Sequence, residues 1–378
     1  MSDRILTNSF IRSDLSQLAA YTPHPGGEAP SEVDHLDTNE APLDLPESIK
    51  SKLAWAYQQE IEANRYPDGS HEELKQAISE YVTESANLTQ ALDKTNISVG
   101  NGSDELIRSL LIATCLGGEG SILVATPTFS MYGILARTLG IPVVSIARQE
   151  TDFSLDLEMA QQAIDDTDSP PIRVVFVVHP NSPTGNALKA EELDWLRSLP
   201  ENILVVVDEA YFEFSHASVV TELSQHSNWL ILRTFSKAFR LAAHRVGYAI
   251  SNSDLIQVLE KVRLPYNLPS FSQTAAKVAL NQRQVLLPLV EETIDEKKRV
   301  YSLLNQHKKI KVWQSNANFL YLRLNSILPE QHENKLAEIT SKLKQEGTLI
   351  RHTGGGLRIT IGTYAENERT LARLERMM

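Results

Sequence analysis

The feature that most constrains this chain is a set of strand-length runs that are apolar without alternation. Residues 173–178 read Arg-Val-Val-Phe-Val-Val, residues 203–207 Ile-Leu-Val-Val-Val, and residues 229–233 Trp-Leu-Ile-Leu-Arg. A strand with one wet face alternates apolar and polar side chains, whereas a strand covered on both faces does not. Shorter runs of similar texture occupy 96–99, 121–125 and 143–147. Between them lie helix-length amphipathic stretches at 104–116, 130–138, 155–164 and 190–198. In the first of these, Leu106, Ile107, Leu110, Leu111 and Thr114 share one helical stripe. Strand–helix repetition of this kind predicts an α/β layer fold, with a mostly parallel central sheet and helices on both faces.

The texture changes near residue 268. A long helical pattern runs from 270 to about 307, followed by strand patterns at 310–312, 319–324 and 357–361 with helices between. This predicts a second, smaller α+β domain. Residues 22–47 hold five prolines and read as an irregular lead segment.

Charge and cysteine content narrow the function classes. The 378 residues carry 36 basic and 48 acidic side chains, a net charge of −12. That balance argues against binding a nucleic-acid backbone or an anionic membrane surface. The single cysteine, Cys115, excludes an internal disulfide and a cysteine-cluster metal site, and its apolar neighbours mark it as core. No metal site is expected. No run approaches the ~18 apolar residues of a membrane span, and the first residues lack a signal-peptide core. A soluble, cytoplasmic protein is expected.

In doubly wound sheets ligands bind beyond the carboxyl ends of the strands, so the residues there are the candidates. Gly100-Asn101-Gly102-Ser103-Asp104-Glu105 follows the first strand and opens a helix, a place where backbone N–H groups can hold a phosphate. It has neither the third glycine of a dinucleotide fingerprint nor a P-loop lysine. His179-Pro180-Asn181-Ser182-Pro183-Thr184-Gly185 is a rigid polar turn. Asp208 follows five apolar residues, and a buried carboxylate needs a cationic partner or strong donors. Lys237 sits past another apolar strand, where desolvation favours the neutral, nucleophilic amine. Thr234, Ser236 and Arg245 surround it with donors and one charge, as an anion cradle would.

Taken in order, these blocks resemble the fold-type-I pyridoxal-5′-phosphate (PLP) aminotransferases. Tyr21-Thr-Pro-His-Pro-Gly-Gly, Leu36-Asp-Thr-Asn-Glu-Ala-Pro42, Asn64-Arg-Tyr-Pro-Asp68 and Leu357-Arg-Ile-Thr-Ile-Gly-Thr363 are similar to the histidinol-phosphate branch of that family. The resemblance implies a large PLP-binding domain over 46–266 and a small domain built from 1–45 and 267–378. It implies that Lys237 carries the cofactor and moves protons, that Asp208 pairs with the pyridine nitrogen, and that Tyr211 bonds the ring's 3-oxygen. Phe129 would stack on the ring. Gly102, Ser103, Asp104, Thr234, Ser236 and Arg245 would hold the phosphate. Tyr66 would reach the cofactor of a partner subunit, so a homodimer with shared sites is implied. Asn39 and Arg358 would lie on the substrate side, with Arg351 and Tyr21 toward the substrate's far end.

Two departures bear on the site. The family usually has Asn directly before Pro-Thr-Gly; here Ser182 stands there, with Asn181 one residue earlier. Either the turn shifts to present Asn181, or Ser182 makes the contact. His244 beside the phosphate cradle has no role in the pattern. The implied reaction interconverts histidinol phosphate plus 2-oxoglutarate and imidazole-acetol phosphate plus glutamate. The rivals are an aminotransferase acting on aromatic or other amino acids, a PLP-dependent decarboxylase of a phosphorylated amino acid, and a non-enzymatic PLP-binding regulator. The last usually carries an appended DNA-binding domain, for which this chain has no spare residues.

Overall fold

The computed structural model describes residues 10–18, 33–166, 170–325 and 329–377. In chain order its elements are β1 (Asp34–His35), α1 (Glu47–Gln59), α2 (Glu72–Ser85), β2 (Ile97–Asn101), α3 (Ser103–Thr114), β3 (Ser121–Thr126), α4 (Met131–Thr138), β4 (Val143–Ala147), α5 (Leu157–Asp166), β5 (Ile172–Val178), α6 (Ala190–Ser198), β6 (Leu204–Asp208), α7 (Phe212–Ser215), β7 (Trp229–Thr234) and β8 (Val246–Ser251). They continue with α8 (Ser253–Val262), α9 (Ser270–Asn281), α10 (Arg283–Leu286), α11 (Pro288–Leu304), β9 (Ile310–Trp313), β10 (Phe319–Leu324), α12 (Pro329–Gln345), β11 (Thr348–Leu349), β12 (Arg351–Thr353), β13 (Gly356–Thr360) and α13 (Tyr364–Met377).

Seven strands form the large sheet in the order β2-β8-β7-β6-β5-β3-β4. All are mutually parallel except β8, which runs antiparallel to both its neighbours. The unbroken apolar runs now have their physical cause. Val174, Phe176, Val178, Val206, Leu230 and Leu232 face one core, with α3, α4 and α8. Val175, Val177, Val205, Val207, Trp229 and Ile231 face the other, with α1, α2 and α9. Successive side chains point to opposite faces, so a strand covered on both sides must be apolar at every position.

Four antiparallel strands, β12-β13-β10-β9, make the second sheet, and β1 pairs with β11 in parallel. Their own core gathers Leu36, Leu320, Leu322, Leu336, Ile339 and Leu357. Asp34, at the start of this segment, is held by Arg369 and Arg373 of α13, which ties the two ends of the chain together.

The structure departs from the sequence expectation in two places. The helical pattern expected over 270–307 is three helices, broken at Gln282 and Leu287. Pro288 opens α11, the one position where its missing N–H costs nothing. Ala275, Ala276, Ala279 and Leu286 pack in the large sheet's core, although the small domain was expected to begin at 267. The second departure is β8, hidden because the Arg245-Val246-Gly247-Tyr248 stretch read as motif. Gly247 is required there, since a Cβ would lie 2.4 Å from the Ser103 backbone nitrogen.

Behind the site, Arg233 and Glu209 form an ion pair at 2.9 Å with side chains 1% and 0% exposed. Phe212 covers the guanidinium at 3.6 Å, and Glu209 also accepts from the Val219 backbone and the Ser218 hydroxyl. Removing one partner of such a pair strands the other without solvent. Glu209→Ala is therefore expected to lower unfolding free energy by about 3–5 kcal/mol. Urea denaturation checks this, and an unchanged midpoint would show that Phe212 and Ser218 suffice for Arg233.

Candidate active site

The turns at the carboxyl ends of β2, β3, β5, β6 and β7 meet residues 37–40 and the β12–β13 hairpin around a pocket of about 310 Å³. Among the candidates named from sequence, Asn39, Ser103, Asp104, Phe129, Ser182, Asp208, Tyr211, Thr234, Ser236, Lys237, Arg245, Arg351 and Arg358 line it. Gly102, Asn181 and Tyr66 do not, and Tyr21 lies outside the described residues.

One end of the pocket is an anion cradle. Gly102 has φ +73° and precedes the first turn of α3, which no side chain caps among the described residues. The Arg245 guanidinium lies so close that a Cβ on Gly102 would sit 2.5 Å from its Nη2. Arg245 Nη1 donates to Ser236 Oγ at 3.4 Å and Nη2 to Asp104 Oδ2 at 3.4 Å. Thr234 Oγ1 donates to Ser236 Oγ at 2.9 Å and accepts from the Ser236 backbone at 3.1 Å. Helix-start N–H groups, two hydroxyls and an arginine are a donor set suited to a phosphate monoester.

Lys237 lines the same pocket, half-buried, and its Nζ donates to the Thr38 carbonyl at 2.7 Å. Burial, then the charge of Arg358, brings its pKa down to about 8, with Glu40 opposing. Asp208 is the last residue of β6 and 3% exposed. Its Oδ2 accepts from Tyr132 at 2.7 Å and its Oδ1 from the Ala210 backbone at 3.1 Å. Burial pushes its pKa up to about 6, against the pull of the Tyr132 bond. Both donors are neutral, and no cationic side chain pairs with Asp208 among the described residues. A buried carboxylate in that state suits a ligand that brings its own cation, such as a protonated ring nitrogen. Phe129 sits in the pocket wall, edge-on to Tyr132.

The other end is the substrate side. Asn39 Nδ2 donates to the Tyr211 hydroxyl at 2.8 Å, and Asn39 Oδ1 accepts from Thr360 at 3.0 Å. Arg358 Nη1 donates to Ser182 Oγ at 3.1 Å and Nη2 to the Asp37 carbonyl at 2.6 Å, with the guanidinium over Phe319 at 5.4 Å. Arg351 is the direct cross-strand partner of Arg358. Like charges placed opposite each other repel, an arrangement that an anionic ligand between them relieves.

The turn presents one of its two candidates to the pocket. Asn181 is fully buried, and its side chain is consumed by Arg148, Thr128, Pro127 and Thr184. Ser182 is the residue that faces the pocket, beside Arg358 and Tyr211. Tyr66 is 81% exposed and stacks on Tyr266, away from its own chain's pocket. His244 packs against Phe271 at 5.4 Å and takes no part in the cradle. Sequence reasoning missed Tyr132, although it stands in the same Pro-Thr-Phe-Ser-Met-Tyr block as Phe129. It also missed Arg148, which lies far from every motif yet holds the turn.

Comparison with known proteins gives the family. The family profile for aminotransferase class I and II matches residues 32–374. The chain belongs to that family. It is 60% identical over 371 residues to histidinol-phosphate aminotransferase 2 of Nostoc sp., covering 97% of each chain. It is 59% identical over 375 residues to the histidinol-phosphate aminotransferase of Trichodesmium erythraeum, covering 97% of this chain and 99% of that one. Its fold is similar to that of the Sinorhizobium meliloti histidinol-phosphate aminotransferase solved with pyridoxal-5′-phosphate, at TM-score 0.83 and 21% identity over 98% of this chain and 97% of that one.

The lowered pKa of Lys237 has a kinetic consequence. Only the neutral amine attacks an aldehyde, so capture of pyridoxal phosphate by the apoprotein should quicken as pH rises and level off above about 8. Stopped-flow absorbance checks this. A rate still climbing toward the 10.5 of an ordinary lysine would contradict the desolvated environment.

Proposed function

We propose that this chain is a PLP-dependent aminotransferase that interconverts histidinol phosphate plus 2-oxoglutarate and imidazole-acetol phosphate plus glutamate. The observation that carries the reading is one pocket holding a half-buried lysine with its pKa lowered to about 8, a buried carboxylate with no cationic partner among the described residues, a phosphate cradle and two arginines. The names of relatives at 59–60% identity support the substrate.

The donors at Ser103, Ser236 and Arg245 fit the cofactor phosphate, Asp208 its ring nitrogen, Tyr211 its 3-oxygen and Phe129 its face. Gly102 and Thr234 support that cradle, and Ser182 stands beside Tyr211. When bound, PLP supplies the electron sink that lets a substrate Cα–H bond break. Lys237 would hold the cofactor through its amine and would carry the proton that leaves the substrate Cα. A pKa near 8 lets it act in both directions at physiological pH. Arg358 and Arg351 hold the anionic group of whichever substrate is present, phosphate or carboxylate. Asn39 fixes the Tyr211 hydroxyl.

We also propose a cytoplasmic homodimer in which Tyr66 completes the partner's phosphate site. Tyr66 stacks on Tyr266, Tyr57 meets Phe271 edge-on, and all four rings are exposed, apolar surface that a monomer would leave wet. No described helix is long and apolar enough to cross a membrane. The working division we propose is a large lobe over 46–266 and a small lobe from 1–45 and 267–378, with α9 and α10 packed on the large one.

Arg358→Ala should raise KM roughly 30-fold or more for both histidinol phosphate and 2-oxoglutarate while cofactor stays bound. Unchanged KM values would remove Arg358 from the site. The substrate is tested by mixing the cofactor-loaded protein with single amino donors and following cofactor absorbance. Histidinol phosphate and glutamate should convert it, with aromatic amino acids at least tenfold slower. Release of CO2 without an oxo product would overturn aminotransfer.

A further inference from the structure

The pocket leaves one buried hydroxyl unassigned. Tyr132 does not line the pocket and is 0% exposed, yet it donates to Asp208 Oδ2 at 2.7 Å. Its ring is fixed from two sides: stacked on Phe176 at 4.5 Å with a 16° interplanar angle, and edge-on to Phe129 at 5.5 Å. Phe176 is itself fully buried in the core that α3, α4 and α8 cover. The hydroxyl therefore has a fixed position and a single acceptor.

We propose that Tyr132 is a positioning residue for the reaction, acting through Asp208. Its hydroxyl holds the carboxylate ionised and aimed while adding no charge to compete with the cofactor's ring nitrogen. A carboxylate offers about four lone-pair sites. Tyr132 and the Ala210 N–H occupy one on each oxygen, leaving both oxygens able to accept from a ligand. A lysine or arginine at this place would stabilise Asp208 more strongly, but it would neutralise the charge that keeps the ring nitrogen protonated. A neutral donor stabilises the anion and leaves its charge for the ligand. Burial holds the phenol neutral, well above its ordinary titration range. Tyr132 also touches Phe129, so one ring sets both the group facing the ring nitrogen and the aromatic that faces the cofactor.

This inference rests on the cofactor reading above, and its test separates the two. Tyr132→Phe removes one oxygen and keeps the ring packing. In the holoenzyme, kcat should fall roughly tenfold or more in both half-reactions, the loss of one hydrogen bond to a charged group. KM for histidinol phosphate and 2-oxoglutarate should stay within about twofold, because Tyr132 reaches neither. Equilibrium dialysis of the apoprotein should show PLP binding about tenfold weaker. The deciding measurement is the same dialysis with the 1-deaza analogue, whose ring carries carbon where PLP has nitrogen. Wild type should prefer PLP over the analogue, and the variant should lose most of that preference. Should the Phe variant not fold, Tyr132→Leu is read by the same ratio. A wild-type ratio in a folded variant overturns the proposal for Tyr132 alone. A wild type that does not bind PLP at Lys237 overturns the reading of the site itself.

Discussion

Charge has no place in the middle of a strand covered on both faces, and the layout of this protein depends on that constraint. Strands β5, β6 and β7 are buried along nearly their whole length, and their neighbours close the two cores above and below. Polar chemistry is left to the strand ends, where the chain turns. Asp208 is the sharpest case: it completes a strand of valines and is as buried as they are, so the surroundings must supply donors. Tyr132 and the Ala210 backbone do so, and the place for a cation is kept for the ligand. Lys237 meets the same constraint with opposite sign, and burial beside Arg358 draws its amine toward neutrality. A lysine and a carboxylate in one pocket, each pushed toward its neutral form, make a site ready for a cofactor that brings both an aldehyde and a ring nitrogen.

The net charge of −12 sits in apparent conflict with a pocket for anions. Local construction resolves it. The cradle uses the start of α3 together with Arg245, and the substrate side sets Arg351 opposite Arg358 on paired strands. Fields from distant surface carboxylates are screened over about 10 Å in salt solution, whereas short, partly buried contacts are not. The substrate arginines come from the small sheet and the cradle from the large one, so the pocket is completed only where the two sheets meet.

Legibility differed by the kind of signal. Strands buried on both faces were legible, because their lack of alternation is a local property of five or six residues. The α3 stripe was legible for the same reason. β8 was not, since it contains Gly247 and begins inside a stretch already rich in functional residue types. The break after α9 was not read either, although Pro288 marks the start of α11; α9 packs in the large sheet's core and the end of α11 in the small one. The choice between Asn181 and Ser182 could not be made from the turn itself. It depends on Arg148, a buried guanidinium from β4's end that binds Asn181 and the Ala125 and Phe153 carbonyls.

The sequence by itself determined the layered α/β architecture, the residues available at the strand ends, and the spacing by which those residues resemble one family of aminotransferases. These are properties of composition and order along the chain. Tertiary structure alone decided that Ser182 and not Asn181 faces the pocket, that Arg351 stands opposite Arg358, and that Tyr132 backs Asp208. The first and last of these depend on atoms from segments tens to hundreds of residues apart, and the second on the register of the β12–β13 hairpin. A hydrogen bond of 2.7 Å is set by how the layers stack, and no periodicity within one segment encodes it.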